Sequence, residues 1–291
     1  MQSLEGLSVG DAFGEGFFGF GANVEFAIPD RWLPPEPWRF TDDTVMAMSL
    51  VEVLARHGRV DQDDLARRFA ERFAREPDRG YGETAYRILS EVCGGADWRT
   101  ISRDAFRGEG SMGNGSAMRV GPLGAYFADD LSSVTREARA SAEVTHSHEE
   151  GIAGAIAVAV AASTAWRTRE LDQEAAARAL FDAVLQHTPP GEVRDGIERA
   201  AAVPASEPAH MAAGLLGDGS LVTCPDTVPF CLWCAARHLD SYEEALWATV
   251  SALGDADTNC AIVGGIVVLS TGAQAIPPEW IGAREELPAI R

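Results

Sequence analysis

The stretch "GIAGAIAVAVAASTAW" (residues 151–166) has almost no polar face. A helix that is apolar all round is buried on all sides, so this run predicts a central helix. Its glycines and alanines let neighbouring helices approach closely. It is too weakly hydrophobic and too short for a membrane span, as is the run at 261–269. Further helical signals surround it. "LARRFAERFA" sets Leu65, Phe69 and Phe73 at four-residue spacing behind the capping "DQDD". "TVMAMSLVEVLARHG" (44–58) ends at Gly58. "SSVTREARASAEVTH" (132–146), "DQEAAARALFDAVLQH" (172–187), "GEVRDGIERAAAV" (191–203) and "SYEEALWATVSALG" (241–254) follow, broken by Gly, Pro and Asp. No stretch alternates strictly between apolar and polar, so no sheet is expected. Nothing marks a linker or a repeat, and the reading is one all-α domain over residues 1–291. The longest irregular segment is "GEGFFGFGANVEFAIPDRWLPPEPW" (14–38), a length that points to function rather than ornament.

The chain is long enough, at 291 residues, to bury a substantial core. With 46% hydrophobic and 23% charged residues it reads as an ordinary soluble protein. Its net charge of −20 argues against a non-specific grip on nucleic acid, which needs clustered cations. An anionic ligand would need a helix N-terminus, an arginine or a metal. All 24 basic residues are arginine, which excludes a Schiff base, a lysine general base and a Walker-type phosphate lysine. Of the five cysteines, Cys231 and Cys234 form one C-x-x-C inside the helical run "TVPFCLWCAARH", with no second pair to complete a zinc site. Buried free thiols are the expectation. With no secretory leader and no membrane span read, a monomer in a reduced, cytoplasmic setting is expected, without membrane or nucleic-acid partners.

Two polar clusters interrupt this pattern. "GDADTN" puts Asp255, Asp257 and Thr258 directly before an apolar helix, where one oxygen-bearing cap would suffice. "TDDT" puts Thr41, Asp42, Asp43 and Thr44 before another, and Asp42 and Asp255 lie 213 positions apart. Each alone reads as a cap whose acids favour the helix dipole. Two clusters of the same composition point to a cation, because carboxylates packed together repel. Oxygen-only ligands favour hard ions, magnesium, manganese or calcium. A third feature, "GSMGNGSAMRVGPLG", interleaves Gly110, Gly113 and Gly115 with Ser111, Asn114 and Ser116 before a helix, a cradle suited to a pyrophosphate. Arg119 in that helix would meet a phosphate or pair with an acid. In "AEVTHSHEEG", His146 is read as a substrate contact, and His146 with His148 is disfavoured as a metal pair.

With "GLSVGDAFGE", these stretches resemble the ADP-ribosylglycohydrolase family in order and spacing, from Gly6 to about Gly272. The matching motifs are G-D-A-x-G (Gly10 to Gly14), T-D-D-T (Thr41 to Thr44), G-N-G-x-A-M-R (Gly113 to Arg119), T-H (Thr145, His146) and G-D-x-D-T-N (Gly254 to Asn259). The resemblance implies an orthogonally packed all-α bundle with two divalent cations, Mg2+ or Mn2+, in a central cleft. It implies Thr41, Asp42, Asp43, Asp255, Asp257 and Thr258 as metal ligands. It implies substrate contacts from Gly113, Asn114, Gly115, Ser116, Met118 and His146. Relatives commonly carry a glutamate seven residues after the G-D aspartate, where this chain has Phe18. Glu15 and Glu25 are the nearby candidates, with the segment between them expected to lie over the metals as a lid.

The chemistry expected is hydrolysis of the glycosidic bond between ADP-ribose and an acceptor, an ADP-ribosylated protein or small molecule, with Asp42, Asp43 or the loop glutamate as general base. A guanidino acceptor is favoured. Serine-linked, nucleobase-linked and O-acetyl-ADP-ribose fit the same pocket, as does a relative that binds ADP-ribose without cleaving it. A serine hydrolase would need strands to present its nucleophile elbow, and none is expected.

Overall fold

The backbone of Gly6, Gly10 and Gly14 determines how this molecule is put together. A computed structural model describes residues 1–290. Among them helices account for nearly all regular structure: α1 (Gln2–Phe18), α2 (Val24–Ala27), α3 (Asp42–His57), α4 (Gln62–Arg75), α5 (Glu83–Cys93), α6 (Trp98–Gly108), α7 (Gly115–Met118), α8 (Gly121–Tyr126) and α9 (Leu131–Glu143). The second half adds α10 (Glu149–Arg167), α11 (Gln173–His187), α12 (Glu192–Ala202), α13 (Ala209–Leu216), α14 (Cys224–Arg237), α15 (Tyr242–Val250), α16 (Ala256–Thr271) and α17 (Pro278–Ala283). Two isolated bridges, Trp38 with Arg284 and Gly113 with Thr223, are the only strand-like pairings among the described residues. One hydrophobic core runs from Leu4 to Ala283. The all-α reading holds.

α10 is the central helix that its sequence requires, with every residue from Gly151 to Ala165 buried. It packs on α7, α8, α9, α11, α14 and α16. The tightest partnership is α1 with α16. A Cβ on Gly10 would stand 2.1 Å from the carbonyl oxygen of Cys260, so the two backbones touch and only glycine fits. Ser3 Oγ donates to the Gly265 carbonyl at 2.7 Å, and Tyr242 Oη to that of Gly6 at 2.6 Å, which fixes the register. This contact carries Asp11 of α1 to the first turn of α16.

Helix ends follow the expected chemistry. Asp61 accepts from the Asp64 amide to start α4, and Gly58 closes α3 with a φ of 66°. Leu65, Phe69 and Phe73 form the buried face of α4. The segment read as irregular from residue 14 does not begin there. α1 continues through Phe18 because Phe13 and Phe17 insert into an aromatic cluster with Trp38, Trp247 and Trp280. Those partners lie far away in the sequence, and α2 further shortens the loop. No helix of the described residues is long and apolar enough to cross a membrane. Cys224, Cys231, Cys234 and Cys260 are buried free thiols, and Cys93 is exposed.

Candidate active site and metal centre

Asp11 stands in the middle of an otherwise apolar helix face, fully buried, and both of its oxygens are engaged. They accept the Thr41 amide at 3.0 Å, the Thr41 hydroxyl at 2.9 Å, the Thr44 amide at 3.1 Å and the Thr44 hydroxyl at 2.5 Å. These bonds pin the Thr41–Thr44 turn to α1. Sequence reading saw Asp11 as part of a motif and gave it no role. The signal available was a lone carboxylate on a greasy stripe.

The turn so fixed meets the start of α16. Asp43 Oδ2 accepts from the Thr41 hydroxyl at 3.1 Å and the Thr258 hydroxyl at 3.4 Å, which joins the two distant clusters directly. Asp255 sits at the N-cap of α16, yet its carboxylate makes no capping bond. It accepts instead from Asn114 Nδ2 at 2.6 Å, and Asn114 also donates to Thr227 at 3.0 Å. The glycine loop is thereby bonded to the acid cluster. Plain helix capping does not explain this Asp255.

Five carboxyls are crowded here: Asp11, Asp42, Asp43, Asp255 and Asp257. Burial raises Asp11 to about 7 and, with the charges of Asp11 and Asp255, raises Asp42 to about 8. Asp43 and Asp257 rise well above the usual range, through burial and then the repulsion of their neighbours. Asp255 is raised as well, by burial, against the bond from Asn114. Asp43 Oδ1 and Asp257 Oδ1 are buried with no hydrogen-bond partner. A buried carboxylate oxygen without a donor is costly, and a hard cation is the group that relieves it.

Above the acids opens a cavity of about 580 Å³, the size of a small-molecule site. Asp42, Asp43, Asp255, Asp257 and Thr258 line it, with Gly113, Asn114, Gly115, Met118 and His146. Thr41 lies buried beside Asp43 and is not part of that lining. The glycine loop is held by the Asn114 amide on the Val222 carbonyl at 3.2 Å and the Cys224 amide on the Met112 carbonyl at 2.9 Å. It lies against His146: a Cβ on Gly115 would stand 2.9 Å from the ring, and one on Gly113 3.0 Å. Burial, then the charge of Arg119, lowers His146 to about 3, so the ring is neutral, with Nδ1 paired to the Thr145 hydroxyl at 2.7 Å.

Three sequence assignments need correction. Ser116 is fully buried behind the loop, donating to the Gly151 carbonyl at 2.6 Å, and does not face the cavity. Arg119 does not line the cavity and forms no ion pair among the described residues, though the charge of Asp42 acts on it. It is buried and donates to two backbone carbonyls, Gly115 at 2.9 Å and Ser141 at 2.7 Å. Glu15 and Glu25 are not among the cavity residues. Glu15 is half-buried on α1, its carboxyl raised by burial against the charge of Arg39. Glu25 is exposed on α2, in a segment tied away by the fork of Arg31 on Glu244 at 2.7 and 2.6 Å. His148 lines the cavity but caps α10, accepting the Glu150 amide at 3.1 Å. Sequence reading also missed the cavity mouth. Phe106 (φ 51°, 59% exposed) and Val222 (φ 55°) both line it in a left-handed backbone that a β-branched residue rarely adopts. Such strain clusters at functional sites.

An acid floor, a glycine loop and a neutral histidine surround one cavity in a helical frame. The comparisons give the family. The ADP-ribosylglycohydrolase family matches residues 1–291. ADP-ribosylhydrolase ARH3 of Mus musculus is 30% identical over 302 residues, covering 89% of this chain and 78% of the relative. ADP-ribosylhydrolase ARH3 of Homo sapiens is 29% identical over 299 residues, covering 89% and 79%. A solved structure titled "ADP-ribosylglycohydrolase-related protein complex" superposes with a TM-score of 0.69 at 27% identity, over 97% of this chain and 90% of that one. The chain belongs to the ADP-ribosylglycohydrolase family.

Proposed function

We propose that the protein is a divalent-cation-dependent hydrolase that cleaves the bond between the distal ribose of ADP-ribose and a guanidino acceptor. The observation that carries this reading is the pair of orphaned oxygens, Asp43 Oδ1 and Asp257 Oδ1, at the floor of a cavity whose other wall is a glycine loop. Thr41, Asp42, Asp43, Asp255, Asp257 and Thr258 offer only hard oxygen donors, which fit Mg2+ or Mn2+. Among the described residues no three acidic, histidine or cysteine side chains already enclose one point, so ligation would draw these side chains inward. Bound ions would hold the ribose hydroxyls and lower the pKa of water.

The chain's own residues would do the rest. Asp42 or Asp43 takes a proton from the attacking water, and neighbouring carboxylates stabilise the positive charge that develops on the ribose. The anomeric carbon–nitrogen bond breaks with its electron pair going to nitrogen, and the guanidinium leaves as neutral guanidine that takes up a proton from solvent. The backbone of Gly113 to Gly115 receives the diphosphate, neutral His146 contacts the ADP-ribose, and Phe106 offers a flat apolar surface at the mouth. Glu15 or Glu25 would join only if the segment between α1 and α3 moved over the cleft.

The acceptor assignment rests on charge. The cavity wall carries Glu83 and Glu109 besides the floor acids, and no arginine among the described residues. Such a wall favours a cation. Purified protein with Mg2+ or Mn2+ should release ADP-ribose from ADP-ribosylated arginine faster than from serine-linked or O-acetyl-ADP-ribose, and lose activity in chelator. Faster release from a neutral acceptor would overturn the guanidino assignment. Full activity in excess chelator would overturn the metal.

A further inference from the structure

We propose that Arg119 is a positioning residue that sets the separation between the glycine loop and His146, and with it the affinity of the cleft for ADP-ribose. The inference rests on the reading of the cleft as an ADP-ribose site. Arg119 is fully buried and forms no ion pair among the described residues, though the charge of Asp42 acts on it. Its Nη1 donates to the Gly115 carbonyl at 2.9 Å, inside the glycine loop. Its Nη2 donates to the Ser141 carbonyl at 2.7 Å, in the last turn of α9. The chain leaves α9 just beyond, where the Thr145 and His146 amides both bond the Ala142 carbonyl, at 3.1 and 2.8 Å. One end of the guanidinium therefore holds the loop, and the other holds the helix end that presents His146. The flat group lies over the Phe69 ring at 4.7 Å, which adds α4 as a backstop.

The arrangement carries a cost. The Nε–H of Arg119 is buried without a partner, and burial pulls the guanidinium down to about 9. Replacing the guanidinium by an apolar side chain removes that buried charge but leaves the Gly115 and Ser141 carbonyls without their donor, which destabilises the fold. What the guanidinium provides is a rigid fork spanning two carbonyls at a set distance, which a lysine's single flexible ammonium cannot do. The clearance it sets is small. A Cβ would stand 2.9 Å from the His146 ring at Gly115 and 3.0 Å at Gly113, so a shift of about an ångström would change the space left for a ligand.

The test compares R119M and R119K with the unsubstituted protein. In R119M the Kd for free ADP-ribose and the KM for hydrolysis should rise about tenfold or more, with kcat far less affected and the protein folded at a lowered melting temperature. R119K should fall between. In the metal-free protein, amide hydrogen exchange should quicken at residues 113–116 and 145–147 together, and stay unchanged in α3 and α16. A folded R119M with unchanged Kd, KM and exchange overturns the proposal. So does a loss confined to kcat, and so does unfolding of both variants, which would make Arg119 a folding determinant. If the unsubstituted protein fails to bind ADP-ribose, the proposed function falls, while the exchange pattern still decides whether Arg119 couples the two segments.

Discussion

Asp11 and Asp43 lie in the same buried cluster and do opposite things. Asp11 gives both oxygens to donors on Thr41 and Thr44, so it organises the turn. Asp43 keeps Oδ1 bare, as Asp257 does. Asp11→Ala should leave several buried donors unpaired and destabilise the protein by about 3 kcal/mol or more. Asp43→Asn and Asp257→Asn should each remove repulsion and raise the stability of the metal-free protein by about 1–3 kcal/mol. Both should cut hydrolysis by orders of magnitude. Chemical denaturation in chelator separates the cases, and destabilisation by all three substitutions would make the whole cluster structural. The sequence displayed Asp43 and Asp257 because they stand where a helix needs only one cap. Asp11 was unreadable in role, since its partners lie some thirty residues on. Ser116 was misread because a loop's sequence does not say which of its side chains turns inward.

The helices themselves were legible, since their periodicity and caps are local. α10 reads as buried from its own residues, and α4 shows its face in Leu65, Phe69 and Phe73. The end of α1 was not, because the aromatic residues that extend it to Phe18 find their partners on remote elements. The placement of Glu15 and Glu25 away from the cavity was hidden for the same reason. At this scale the decisive contact is α1 on α16, where Gly10 lets backbone touch backbone and brings Asp11 beside Asp257. Gly10→Ala would put a methyl group 2.1 Å from the Cys260 carbonyl. The helices would have to separate, at a cost of about 1–3 kcal/mol or more, and divalent-ion binding should weaken with stability. Retained stability and ion affinity in that variant would show that the helix contact does not set the site.

The whole molecule carries a net charge of −20 and gathers five carboxyls in one place, with Asp11, Asp42 and Asp43 buried and Asp255 and Asp257 partly so. Asp11 and Asp42 are raised to about 7 and about 8 from 3.8, so without an ion the folded state holds protons that the unfolded chain releases. Their contribution to stability is complete below about pH 4 and is lost as pH rises through about 7 to 8. The melting temperature of metal-stripped protein should therefore carry a downward component across that window. Saturating Mg2+ or Mn2+ should flatten it, since ions that bind only the folded state stabilise it by mass action. The most direct test is calorimetric titration of Mg2+ or Mn2+ into the metal-stripped protein at neutral pH. Two ions per chain are expected, with binding abolished or reduced to one site in Asp43→Asn and Asp257→Asn. Absence of binding by the unsubstituted protein, or unaltered binding by both variants, would contradict the assignment of these aspartates as a divalent-cation centre.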